Sequence, residues 1–223
     1  MEGAEMVLLD KLFLGGTTLV AVTGVWYLGS ALRERSHQHI SDHYHRVSLS
    51  VLGLAATLLA VYGWGILGMM GDATSNKLVA TVSSLIPFSW ATGLVARFYP
   101  RFEKPFLALM ILGVMLILIS RFMDAPLMSR IVYPVFHSVA AMVVILTPIL
   151  AYRRGLRNAL FIMVSLGGTL ISIGGISLAF LMAGKQLMFF SQEIVLMIFA
   201  PLLFVTATLY FLGFKFGEDV GGV

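Results

Sequence analysis

Ala141-Met142-Val143-Val144-Ile145-Leu146 is apolar at every position, so whatever element it forms presents hydrocarbon on all sides. A strand crossing a membrane in a barrel alternates apolar and polar residues, which this run does not do. Helices and closed barrels are the only structures that satisfy their own backbone inside a bilayer, so the run is read as helix. Outward from it the apolar stretch covers about 128–151. That is one full crossing, at about 20 residues per 30 Å of hydrocarbon.

The same test along the 223 residues finds six more spans, at about 7–32, 47–70, 78–96, 105–120, 156–183 and 187–214. The fourth is short, and the charged break Arg153, Arg154, Gly155 and Arg157 separates the fifth from the sixth. Hydrophobic residues make up 59% of the chain and charged residues 12%, with a mean hydropathy of +0.94. Those values lie outside the range of water-soluble domains. The expectation is an all-α, polytopic integral membrane bundle of seven transmembrane helices, a single transmembrane domain over 1–223.

Lys and Arg are enriched in cytoplasmic loops. Arg33, Arg35, Arg46, Arg97, Arg101, Lys104, Arg153, Arg154, Arg157 and Lys215 fall on one side, against Lys11, Lys77, Arg121, Arg130 and Lys185 on the other. The predicted topology is N-terminus outside and C-terminus cytoplasmic, in the cytoplasmic (inner) membrane. This bias and contact with anionic lipid account for the pI of about 9.5, so no nucleic-acid partner is expected. Glu2, Glu5 and Asp10 precede Lys11, the wrong charge for a cleavable signal, so the first span is expected to be retained. The absence of cysteine excludes disulfides, thiolate metal sites, iron–sulfur clusters and covalent haem attachment to this chain.

Ionisable groups inside a bilayer are costly and face a partner or a water-filled cavity. His137 in the fifth span and Glu193 in the seventh fall at similar depth, with Gln192 beside Glu193 and Arg121 near the same face. Two readings are open. In one, His137 and Glu193 share a proton or bind a cation, tuned by Arg121. In the other, His137 bonds a neighbouring helix, and Glu193 pairs with Arg121 or Arg130 or rises to the headgroups.

A second constellation is His37-Gln38-His39-Ile40-Ser41-Asp42-His43-Tyr44-His45, between the first two spans. His37, His39, Asp42, His43 and His45 are candidate ligands for a divalent transition metal, with His39 and His43 an i, i+4 pair if the helix starts early. The alternative is a solvated loop capping the helix through Ser41 or Asp42. Haem b needs two axial ligands at matched depth, and His137 is the only histidine that falls inside a predicted span. A His–Met site with Met69, Met70 or Met128 is the remaining haem alternative. Seven spans have the outline of a microbial rhodopsin, but the middle of the last span reads Phe199-Ala200-Pro201-Leu202-Leu203-Phe204, without the Schiff-base lysine, which excludes that family.

Gly167, Gly168, Gly174 and Gly175, with Ser165, Thr169 and Ser172, give the sixth span a small face for close helix contact. Gly63, Gly65 and Gly68 are expected to do the same for the second span. Pro87, Pro148 and Pro201 interrupt the backbone ladders of three spans. Two functional classes follow. One is a small transporter or channel for protons or metal cations. The other is a non-catalytic membrane subunit of a larger respiratory or redox complex that helps to hold haem or lipid. Expected partners are membrane lipid and further copies of the chain or other membrane subunits. No Ser–His, paired-Asp or His-Glu-x-x-His pattern marks an enzyme.

Overall fold

The computed structural model describes residues 7–34, 39–67, 73–123, 126–182 and 191–217. Within them lie seven helices: α1 (Leu8–Glu34), α2 (Ile40–Tyr62), α3 (Ala73–Phe98), α4 (Glu103–Phe122), α5 (Pro126–Arg153), α6 (Ile162–Met182) and α7 (Gln192–Phe216). Each is long and apolar enough to cross a membrane, and no strand occurs among the described residues. The protein is a seven-helix integral membrane bundle.

Three spans differ from expectation; the sixth helix begins at Ile162 and not near 156, after a polar turn. The second runs over Ile40–Tyr62, not 47–70. Hydropathy alone assigns Ser41 to Arg46 to a loop, yet Ser41, His45, Ser48, Leu49, Leu52, Ala56 and Leu59 are all buried and recur at helical spacing. The polar residues at the start of α2 therefore continue its buried stripe. The helix begins at His39, whose backbone is extended and whose side chain makes no capping bond; neither Ser41 nor Asp42 supplies the cap. It stops at Gly63, where φ is +70°, a conformation glycine adopts freely, and the Gly63 N–H donates to the Leu59 carbonyl at 2.8 Å. Gly63 and Gly65 thus lie beyond the helix with open space around them, and they do not form the expected packing face; Gly68 lies outside the described residues. The fourth span is not short: α4 has 20 residues, and the turn Pro100–Phe102 extends its apolar length to 23.

Helix α1 packs on α2 and α7, α2 on α3, α3 on α5, α5 on α6, and α6 on α7. Six helices therefore close into a ring, and α4 packs outside it, against α3 and α5. The glycines of α6 seal this ring. A Cβ on Gly168 would stand 2.6 Å from Val144 of α5, and one on Gly174 would stand 3.0 Å from Leu202 of α7. The small face of the sixth span therefore belongs to the interior of a single bundle.

At the end carrying Arg97, Arg101 and Arg153, the polar turn between α5 and α6 closes α7. The Arg157 guanidinium donates to the Gly217 carbonyl and the Asn158 amide to the Phe216 carbonyl, both at 2.7 Å. These are carbonyls that a helix C-terminus leaves without intrahelical donors. The inside of the ring at this basic end is filled with aromatic rings. Trp90 stacks on Tyr210 at 4.2 Å, His45 lies 4.8 Å from Trp90 and 4.4 Å from Phe214, and Phe161 continues the cluster.

Candidate functional site

The opposite half of the ring is not filled. It holds a cavity of about 320 Å³, walled by α2, α3, α5, α6 and α7, with one contribution from α4. Most of the wall is hydrocarbon, including Leu52, Leu58, Ile86, Ile171, Phe199 and Leu203. Five polar side chains interrupt it: Ser83, Arg121, Tyr133, His137 and Tyr210. No carboxylate lines it among the described residues.

Each polar group has a sequence reason for its position. Arg121 lies in the last turn of α4, where a cation complements the helix macrodipole. Tyr133 and His137 are one turn apart on α5, so their side chains share a face, and their rings stack at 5.4 Å with an 18° interplanar angle. The Tyr133 hydroxyl faces Ser83 of α3 and lies within electrostatic reach of Arg121. His137 fits because α6 has Gly175 opposite it: a Cβ there would stand 3.3 Å from its Cε1 and Nε2. His137 is 5% exposed, and neither ring nitrogen has a hydrogen-bond partner. The Arg121 Nε is likewise buried and unpartnered. An unsatisfied buried polar atom costs about 1–3 kcal/mol, so these nitrogens are the points at which this wall can hydrogen-bond a polar group.

Pro87 also lines the cavity, and it removes a donor from the α3 ladder, leaving the Ser83 carbonyl without its helical partner. Just below, the Ser48 hydroxyl donates to the Ile86 carbonyl at 2.7 Å and ties α2 to α3.

His137 and Arg121 are thus brought to one site. Glu193 is not: it is exposed in the first turn of α7 and does not line the cavity. There it follows Ser191, whose hydroxyl accepts from the Ile194 N–H, so Ser191 and Glu193 both suit a helix N-terminus. The side chain of Gln192 lies outside the described residues. Arg130 of the structural alternative also has its side chain outside them.

The histidine stretch does not converge. His37 lies outside the described residues. His39 Nδ1 pairs with the Ser41 hydroxyl at 3.0 Å, His43 is exposed, and His45 points into the bundle. Positions 43 and 45 lie on opposite sides of α2, and no group of three or more His, Cys, Asp or Glu that could hold a metal occurs among the described residues. His45 corrects a second expectation, because it is a buried histidine inside a span, 1% exposed, with neither ring nitrogen hydrogen-bonded in ordinary geometry. It borders a smaller cavity of about 60 Å³ at the basic end, with Ser41, Asp42, Arg97 and Arg157. Of the methionines considered for a haem ligand, Met69 and Met70 lie outside the described residues.

Sequence reasoning passed over Tyr133, Ser83 and Gly175. The signal for Tyr133 was its i, i+4 spacing from His137. The signal for Gly175 is the small face of α6, which serves His137 as well as helix packing.

Comparison of the chain with protein-family models, with curated proteins and with solved structures found no match.

Proposed function

We propose that this integral membrane protein binds a largely apolar small molecule inside its helical ring, with Arg121, Tyr133 and His137 holding the ligand's polar end. One observation carries this reading: an apolar cavity of about 320 Å³ in which a buried histidine with two unpartnered ring nitrogens and an arginine share the wall. Ligand sites are concave and mostly hydrocarbon, with a few convergent polar groups that fix orientation. Filler packing between helices needs no such void, because interiors otherwise close to crystal density.

The cation-handling reading has less to support it. It needs a carboxylate beside His137, and Glu193 stands elsewhere while Arg121 gives the cavity wall a fixed positive charge. A metal at the histidine stretch needs ligands that face one another, and His43 and His45 face apart. The reading as a subunit of a larger membrane complex draws only on the exposed apolar faces, such as Leu109, Leu112 and Met115 of α4, which suit lipid equally well.

The test is to purify the protein in mild detergent, extract it with organic solvent and identify retained small molecules by mass spectrometry. The comparison is Ala55→Phe, which places a ring in the cavity from a half-buried position on α2. A ligand retained in near-stoichiometric amount by the native chain and lost from the variant supports the reading. Retention of the same lipids by both proteins would sink it.

A further inference from the structure

We infer that the molecule held in this cavity is a single-chain amphiphile with an anionic head, entering sideways from the bilayer between α2 and α3. The inference rests on the ligand-binding reading of the cavity and adds the charge and route of the ligand.

The charge follows from the wall. Arg121 is half-buried at the cavity, no carboxylate lines the site among the described residues, and its Nε has no acceptor. A guanidinium taken partly out of water in a low-dielectric wall is stabilised by an anion, and its planar fork matches the two oxygens of a carboxylate or phosphate. The Tyr133 hydroxyl, which lies within electrostatic reach of Arg121, supplies a further donor on the same side. A neutral ligand would leave the Arg121 Nε without an anionic acceptor among the described residues.

The route follows from exposure. Leu54 on α2 and Leu78 and Val82 on α3 line the cavity and yet are 57%, 52% and 43% exposed. They are bundle surface and cavity wall at once. All three are hydrocarbon and lie in helices long and apolar enough to cross a membrane, so an acyl chain can cross the opening without leaving apolar surroundings. A soluble anion would have to do so unaccompanied, at high cost. The head thus lies at Arg121, and the far end of the chain can remain between α2 and α3 in the bilayer.

The experiment measures binding of brominated sixteen-carbon chains to the intact protein in detergent, read by quenching of tryptophan emission. Trp64 packs against Phe199 of the cavity wall, with ring centroids 6.1 Å apart, and serves as the native reporter. Three heads are compared: carboxylate, phosphate monoester and primary alcohol. The two anions are expected to bind about ten- to a hundredfold more tightly than the alcohol, the worth of one hydrogen-bonded charge. Arg121→Gln should remove that preference, and Arg121→Lys should restore part of it. Thermal unfolding in the same detergent shows that both variants are folded. The ratio of carboxylate to phosphate affinity separates a fatty-acid head from a phospholipid-type one. Equal binding of all three chains, unchanged by Arg121→Gln, overturns the anionic head and leaves the cavity reading standing. Failure of all three to bind overturns both.

Discussion

Gly93 of α3 tests the aromatic half of the interior in a way that separates two opposing effects. Replacing a helical glycine by alanine ordinarily stabilises a helix by about 0.8–1.0 kcal/mol. Here the new Cβ would stand 2.6, 2.7 and 2.9 Å from Nε2, Cε1 and Cδ2 of His45. Carbon contacts settle at about 3.5–4.0 Å, so three ring atoms would each be overlapped by about 1 Å. The imidazole has little room to yield, because Trp90 and Phe214 flank it with ring centroids at 4.8 and 4.4 Å. Overpacking a filled interior costs about 1–3 kcal/mol, and an overlap shared by three atoms of a wedged ring belongs in the upper part of that range. The steric cost therefore exceeds the propensity gain, and Gly93→Ala should destabilise by about 1–2 kcal/mol.

The assay is thermal unfolding in a fixed detergent, where a chain of this size moves about 2–4 °C per kcal/mol, repeated in a His45→Ala background. Removing the ring removes the clash, so Gly93→Ala should there become neutral or stabilising, and the two substitutions should be strongly non-additive. Stabilisation by Gly93→Ala in the native background, or an equal cost with and without His45, would refute the close approach of α2 to α3 at this point.

Three further outcomes are expected. Ala55→Phe fills part of the cavity and should raise the unfolding temperature of ligand-free protein by the equivalent of about 0.5–2 kcal/mol while abolishing ligand retention, both read on one preparation. Gly175→Ala places a Cβ 3.3 Å from His137 Cε1 and Nε2, so the ring must shift by a few tenths of an ångström. It should change stability by less than about 1 kcal/mol yet weaken ligand binding, and tight binding retained by this variant would remove His137 from the site. Tyr44→Phe removes the 2.9 Å hydrogen bond by which α2 reaches Glu103 at the start of α4, and unfolding should detect a loss of about 0.5–1.5 kcal/mol.

The seven crossings were legible because each apolar run is a one-dimensional property, and lipid enforces helix on it whatever its neighbours are. The start of α2 was not legible by hydropathy. Ser41, His45 and Ser48 are polar, and only the ring of partners around them makes burial possible. The i, i+4, i+7 spacing of these residues, read as helix phase and not as hydropathy, would have found it. For the site, His137 and Arg121 were identified by the cost of ionisable groups in a membrane, and the structure does bring them to one wall. Glu193 was grouped with them on depth alone. Helix α7 begins only at Gln192, so Glu193 stands exposed in its first turn, at the end of the span and away from the cavity wall.

The division of the interior into a filled half and an open half follows from where the large rings fall along the helices. Trp90, Phe98, Phe161, Tyr210 and Phe214 all lie within the last turns of α3 and α7 or the first turns leading to α6, so they meet at the basic end, where His45 joins them. At the other end small or thin residues, Ala55, Ala80, Ser83, Pro87 and Gly175, stand between the larger Leu52, Leu58, Phe199 and Leu203 of the wall. Enlarging the wall there would be simple for a sequence whose only task was to pack, since Gly→Ala or Ala→Leu changes at such positions fill space and add stability. Unpartnered nitrogens occur at both ends, on His45 and Trp90 in the filled half and on Arg121 and His137 in the open one, but only the open half pairs them with a large void. A void and an unsatisfied polar wall each cost stability, and together they are accounted for most economically by a ligand that fills the one and satisfies the other.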